Sequence, residues 1–116
     1  MKKNKQNKKK KIFIYSLMII FLSSILVVGA MKYNEVQTMK CIGENSQLFV
    51  QPGSNKCQEQ TEIFGENIKY LEVTDCFSER NKCKNIEIAS TPIWIVNGEE
   101  YKDLYNLNSI KELTHC

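Results

Sequence analysis

The chain has 116 residues, enough for one small domain and the segments that precede it. Its net charge of +3 is unevenly distributed, because seven of its 16 basic residues are lysines within the first eleven positions. Nine basic residues remain against all 13 acidic ones, so residues 12–116 carry a formal charge of −4. This part of the chain has no basic stripe, and we exclude nucleic-acid binding.

A membrane segment comes first in chain order. Residues 12–30 contain no charged side chain, and their 19 positions are close to the roughly 20 apolar residues of a bilayer-spanning helix. Lysines on one side of such a segment keep that side in the cytoplasm. We therefore predict a basic cytoplasmic tail over residues 1–11, a transmembrane signal-anchor over residues 12–30, and an extracytoplasmic location for the residues that follow.

A cleaved signal peptide is the alternative for the same segment. The small residues that end it offer a cleavage site near Ala30, after which the rest of the chain would be secreted. The apolar run is longer than the roughly 7–15 residues of a usual signal-peptide core. Its length therefore favours the uncleaved anchor.

The first half of the remaining chain contains a stalk, two strands and a helix. Residues 31–40 are polar and lack apolar periodicity, so we predict a stalk. A brief apolar run over residues 47–50 predicts a buried strand. A turn then leads into a helix that Ser54 can cap and Gly65 can end in left-handed geometry. Residues 68–73, rich in apolar and β-favouring side chains, predict a second strand.

The second half contains a short helix, a hairpin and a final helix. We expect the short helix over residues 78–85, beginning at a serine that can cap it. Residues 93–96 predict a buried strand, and Asn97–Gly98 is the preferred two-residue turn into an edge strand over residues 99–102. Asn106 can cap the final helix, whose apolar side chains recur at helical spacing. A mixed sheet of four strands with helices on its faces, an α/β fold, is the natural packing of these elements.

Five cysteines follow the membrane segment, at Cys41, Cys57, Cys76, Cys83 and Cys116. Their density is typical of small exported domains that disulfides stabilise. Their odd number leaves one thiol unpaired, with five choices of that thiol and three pairings of the others. Zinc is a rival use, but the spacing is wrong for paired ligands and His115 is the one histidine. We predict no metal site and no cofactor.

Four stretches in chain order carry a resemblance: CQEQTEIFG, KYLEVTDC, TPIWIVNGEEY and the terminal LTHC. They resemble thioredoxin-like domains that are fused to, or partnered with, vitamin K epoxide reductase homologues. The active helix of that family resembles W-C-x-x-C-x-x-Q-x-x-x-F-G, and four residues match it: Cys57, Gln60, Phe64 and Gly65. The resemblance implies that residues 41–116 form a thioredoxin-like extracytoplasmic domain of minimal size.

The resemblance also implies a disulfide pairing. Cys76 and Cys83 match an extra cysteine pair of the family, for which a structural disulfide is expected. Cys41 and Cys116 match family positions that flank the domain, where a bridge would tie its two ends together. This pairing leaves Cys57 as the odd thiol.

A peptide-binding edge is a further implication of the resemblance. Pro92 corresponds to the family's cis-proline, which lies beside the active helix and lets the backbone of the preceding residue, here Thr91, pair with an extended substrate. The simpler interpretation is a proline that opens a strand. With the cis-proline, Thr91 and Pro92 are candidate substrate-binding residues.

The chain departs from the family at the position of its first active-site cysteine, which here is Ser54. The first cysteine of such a motif attacks the target disulfide, and the second resolves the mixed disulfide. A serine hydroxyl is not ionised near neutral pH and forms no disulfide, so ordinary dithiol exchange is excluded. Cys57 is then either a buried packing residue or a single reactive thiol, which its place in the first helical turn would favour.

Three functions follow from these observations. We expect a redox-degenerate binding or accessory module, anchored by a single membrane span, that holds an extended peptide or a membrane oxidoreductase at the Thr91–Pro92 edge. One alternative is a disulfide-exchange enzyme that uses Cys57 as a monothiol, and another is a disulfide-stabilised domain that binds the cell envelope. An exposed Cys57 would favour the enzyme, and an open groove between Ser54 and Thr91–Pro92 would favour the binding module.

Overall fold

The computed structural model describes residues 2–116. It contains two compact units, one that ends at Glu35 and one over Val36–Cys116. Helix α1 (Lys2–Asn45) contributes to both. Among residues 2–116 it is the one helix long and apolar enough to cross a membrane, and its apolar side chains over residues 12–28 are exposed. A membrane anchor and an N-terminal signal sequence both fit this helix.

The predicted stalk over residues 31–40 is helical in the structure, because α1 continues to Asn45. Met39 and Ile42 are fully buried in the second unit, three positions apart and therefore on one helical face. The backbone of Gly43 lies so close to that of Tyr70 that a Cβ atom at this position would overlap the Tyr70 carbonyl oxygen. The last turns of α1 are thus part of the domain core.

The domain contains a mixed four-stranded sheet, as predicted for an α/β fold. Its strands are β1 (Ser46–Val50), β2 (Glu72–Asp75), β3 (Ile93–Val96) and β4 (Glu99–Tyr101). They lie in the order β2-β1-β3-β4. Strand β1 is parallel to β2 and antiparallel to β3, and β3 is antiparallel to β4. Residues Asn97 and Gly98 both have positive φ angles, of 53° and 82°, as a tight hairpin turn requires.

Two further helices begin at the predicted caps. Helix α2 (Asn55–Phe64) follows Ser54, whose Oγ accepts a hydrogen bond from the Cys57 N–H at 3.4 Å. Helix α3 (Leu107–Thr114) follows Asn106, whose Oδ1 accepts from the Ser109 N–H at 3.0 Å. Each cap satisfies an N–H group that the helix itself leaves unpaired.

Two further predicted elements differ from the structure. The second strand starts only at Glu72, because Gly65–Tyr70 forms a 3₁₀ helix. Residues 78–85 form turns instead of a helix, since the Asp75 carboxylate accepts hydrogen bonds from the N–H groups of Phe77 and Ser78. Such local side-chain bonds compete with helix formation. A second 3₁₀ helix, Ile88–Ser90, precedes β3.

Both faces of the sheet are covered by apolar side chains. The larger cluster of buried residues contains Met39, Ile42, Leu48, Phe64, Leu71, Trp94, Val96 and Ile110. The smaller cluster contains Phe49, Cys76, Cys83 and Ile93. Leu48 and Phe49 are neighbours in β1 and belong to different clusters, because successive strand residues face opposite sides.

Candidate functional site

Strand directions bring the predicted site residues to one end of the sheet. Strands β1 and β2 are parallel, so their carboxyl ends lie together, and the antiparallel β3 begins at the same end. Helix α2 follows β1 there, and the loop closed by Cys76 and Cys83 follows β2. Thr91 and Pro92 lie at this end because they directly precede β3.

Ser54 lies directly before α2, at this end of the sheet. It has an extended backbone, with φ −82° and ψ 120°, and follows Gly53, whose φ of 83° makes the turn out of β1. Its hydroxyl oxygen is engaged as the helix cap. Ser54 therefore has a structural use that needs no redox chemistry.

Cys57 is a buried free thiol, with 4% of its surface exposed. Its Sγ accepts a hydrogen bond from the main-chain N–H of Gln51, at 3.3 Å. The sulfur thus packs beneath the turn that joins β1 to α2. An external disulfide cannot reach it without opening of this turn.

The peptide bond between Thr91 and Pro92 is cis, and both residues are buried. The Thr91 hydroxyl donates to the carbonyl oxygen of Ile88 at 2.7 Å, and the Thr91 N–H donates to the same oxygen at 3.2 Å. A peptide carbonyl can therefore accept a hydrogen bond from the Thr91 N–H only by displacing the Ile88 carbonyl oxygen as its acceptor.

A groove with a volume of about 310 Å³ runs beside Thr91 and Pro92; we call it the proline groove. It is lined by Lys56, residues 89–92 and residues 102–104. Lys56 lies between Ser54 and Cys57 in the motif, yet neither of those two residues lines the groove. A ligand in the proline groove would touch the start of α2 without meeting the thiol.

The lysines of the proline groove differ in their partners. Lys102 Nζ lies 2.9 Å from a Glu87 carboxylate oxygen and 3.6 Å from one of Glu100. The hydrogen bond to Glu87 raises the pKa of Lys102, and the same bond lowers the pKa of Glu87. The Lys56 side chain forms no hydrogen bond or ion pair with any of residues 2–116. It is therefore the lysine available to a ligand, beside the Asp103 carboxylate, which accepts a hydrogen bond from the Leu104 N–H.

The four remaining cysteines are paired as the resemblance implies. Cys76 and Cys83 form a buried disulfide that closes the loop after β2. Cys41 and Cys116 form a second, half-buried disulfide that joins the end of α1 to the end of the chain. Within residues 2–116 no three His, Cys, Asp or Glu side chains cluster as metal ligands do.

Gln60 is a residue whose role the sequence analysis missed. Its side chain is fully buried, and its Oε1 accepts from Trp94 Nε1 at 3.2 Å and from the Tyr105 N–H at 2.8 Å. Its Nε2 donates to the Tyr105 carbonyl oxygen at 2.8 Å. The amide thereby fixes the segment before α3, which forms one wall of the proline groove. Gln60 lies three residues after Cys57 and four before Phe64, so the three share the inner face of α2. This spacing was the signal in the sequence that Gln60 is buried.

Comparison with known proteins adds no assignment. No protein-family model matches the chain, and no curated protein matches it.

Replacing Gln60 with leucine should destabilise the domain. Gln60→Leu leaves the buried Trp94 N–H unpaired, at a cost of about 1–3 kcal/mol, and removes two hydrogen bonds to the part-buried main chain of Tyr105, each contributing about 0.5–1.5 kcal/mol, so the free energy of unfolding should fall by roughly 2–6 kcal/mol. Urea unfolding of the full chain in maltoside micelles, followed by Trp94 fluorescence, measures the loss. Gln58→Leu is the matched control, because Gln58 is exposed and bonds only Glu62. Equal stability of the two variants would contradict this role.

Cys57 should react with iodoacetamide only when the domain opens. In the folded full chain we expect alkylation to be roughly 100-fold slower, or more, than in denaturant, because a buried thiol is labelled through opening of the structure. Mass spectrometry after timed quenching measures both rates. Cys57→Ser is the control and should take up no label in either state while the disulfides remain closed. Rapid labelling of the folded wild type would instead favour the monothiol enzyme.

Proposed function

We propose that the chain is a membrane-anchored, extracytoplasmic thioredoxin-like protein that binds an extended peptide without dithiol turnover. The observation that carries the proposal is the proline groove, which is open beside Thr91 and Pro92 while the nearby thiol of Cys57 is buried. Binding needs the groove, whereas exchange needs a reachable sulfur. The monothiol alternative lacks that sulfur.

The sheet supports a thioredoxin-like domain in this proposal. Its four strands pair in the order β2-β1-β3-β4, and only β3 runs against the others. A helix with the S-x-x-C motif follows β1, and a cis-proline precedes β3. These elements agree with the resemblance in order, direction and position.

Anchoring and location are proposed from the first unit and the disulfides. The exposed apolar stretch of α1 follows a lysine-rich end, a pattern that keeps the lysines in the cytoplasm. The two disulfides are typical of an oxidising compartment. The domain after Val36 would therefore face the outside of the membrane.

The charge of the proline groove suggests which peptides it accepts. Lys102 is already neutralised by Glu87 and Glu100, whereas the side chain of Lys56 is unpaired; Asp103 is the one carboxylate that lines the groove. An extended segment with a carboxylate side chain would satisfy Lys56 while its backbone follows the Thr91–Pro92 edge. We propose such a segment, from a membrane oxidoreductase or from an exported chain, as the ligand.

Filling the proline groove should weaken peptide binding. Reduced, carboxymethylated ribonuclease A is a suitable probe, because it is unfolded, carries carboxylates and has no free thiol. Ala89→Phe should weaken its binding to the full chain in maltoside micelles by about fivefold or more, since a bulky uncharged side chain then occupies the groove. Asn108→Phe on α3 adds the same side chain elsewhere and is the control. Fluorescence anisotropy of the labelled probe measures both affinities, and equal weakening by the two variants would refute the proposal.

Restoring the missing cysteine should restore exchange. The wild type should not accelerate reduction of insulin by dithiothreitol, whereas Ser54→Cys should. The introduced thiolate attacks an insulin disulfide and releases one insulin thiolate. Cys57 then displaces the second insulin thiolate and forms an intramolecular disulfide, which dithiothreitol reduces. Adding Cys57→Ser to the same variant should abolish turnover. A folded but inactive Ser54→Cys variant would contradict the thioredoxin-like assignment.

A further inference from the structure

A second groove of the domain lies at the other end of the sheet from the proline groove. It has a volume of about 570 Å³, within the range of small-ligand sites, and lies between the β3–β4 hairpin and α3. Val96 and Leu113 supply apolar side chains to its lining. Because Tyr101 and Tyr105 also line it, we call it the tyrosine groove. The proposed peptide-binding function leaves it unused.

The two tyrosines of this groove form a right-angled pair. Their ring centroids are 6.1 Å apart, with an interplanar angle of 86°. One ring face of such a pair stays free of the partner ring, and the π face of a tyrosine attracts cations. Both rings are only half-buried and can be approached from solvent.

The charges that line the tyrosine groove are negative. Glu99 and Glu112 are the carboxylates that line it, His115 lies beside them, and no lysine or arginine is among the lining residues. Glu99 accepts a hydrogen bond from the Tyr101 hydroxyl at 3.0 Å, and this bond raises the pKa of Tyr101. The Glu112 carboxylate has no hydrogen bond or ion pair with any of residues 2–116.

Neither Lys111, which directly precedes Glu112, nor Lys102 forms an ion pair with these carboxylates. Lys102 is three residues from Glu99 and contacts Glu100 and Glu87 instead. Successive residues of β4 face opposite sides of the sheet, so Glu99 and Tyr101 share one side and Glu100 faces the other. The groove therefore combines aromatic faces with carboxylate acceptors, and neither a lysine nor an arginine lines it.

We propose that the tyrosine groove binds an organic cation that carries N–H donors on an alkyl stem, as the side chain of arginine or lysine does. The N–H groups would bond to Glu112 and to the free oxygen of Glu99. The charge would lie against a tyrosine face, and the alkyl stem would contact Val96 and Leu113. Guanidinium–carboxylate bonds are charge-assisted, which makes the positive charge the main determinant of affinity.

An NMR titration of the full chain in maltoside micelles tests the proposal. N-acetyl-arginine amide is the probe, and N-acetyl-citrulline amide is its uncharged isostere. We expect saturable shifts of the amides of Tyr101, Ser109 and Glu112, with the isostere binding about tenfold more weakly or worse. Spermidine, titrated in parallel, distinguishes the source of the cation: tighter binding than the arginine amide indicates a free polyamine, and weaker binding indicates a peptide side chain.

Matched carboxylate variants complete the test. Glu112→Gln should weaken binding of N-acetyl-arginine amide about fivefold or more, whereas Glu59→Gln on α2 removes the same charge elsewhere and should leave it unchanged. Near-UV circular dichroism verifies that both variants are folded. Equal affinity for the charged and uncharged probes, equal effects of the two variants, or shifts confined to residues outside the groove would overturn the proposal. None of these outcomes depends on whether the proline groove binds peptide.

Discussion

The buried side-chain amide of Gln60 is the interaction on which the candidate site depends. It joins helix α2 to Trp94 in strand β3 and to both main-chain groups of Tyr105. A leucine could fill the same volume, but it would leave the buried Trp94 N–H without a partner and remove both bonds to the part-buried main chain of Tyr105. The amide therefore holds α2 in one position on the sheet. It also fixes the segment that forms a wall of the proline groove.

In the proposed thioredoxin-like protein, helix α2 would keep the scaffold of a redox motif without its first cysteine. Its cap, its buried inner face and the edge-to-face contact of Phe64 with Trp94, at 5.6 Å, are the features that position such a helix. Ser54 supplies the cap but no thiolate, and Cys57 is covered by the turn before it. In the proposed function the scaffold positions a groove and no longer a nucleophile. The two disulfides then serve stability alone.

The two proposed binding sites lie at opposite ends of the sheet and differ in charge. The antiparallel pairing of Ser46 with Val96 and of Phe49 with Ile93 separates the two ends of β3. The proline groove, at the Ile93 end, offers the unpaired cation of Lys56. The tyrosine groove, at the Val96 end, offers unpaired carboxylate oxygens. An acidic peptide and a basic group would therefore not compete for one surface.

The sequence by itself determined the features that local physics controls. The apolar segment, the caps at Ser54 and Asn106, and the Asn97–Gly98 turn depend on neighbouring residues, and the structure has them where they were predicted. The loss of dithiol chemistry at Ser54 also needs no coordinates, because it follows from the side chain. The thioredoxin-like assignment remains a proposal that the resemblance and the sheet topology support.

Only the tertiary structure decided the features that distant residues control. Met39 becomes core because the sheet and α3 supply its partners, which periodicity within a polar decapeptide cannot show. The bonds of Gln60 and the tyrosine groove likewise join segments that lie far apart in the chain. Local patterns carry no record of such contacts, because each depends on where the rest of the fold places its partner.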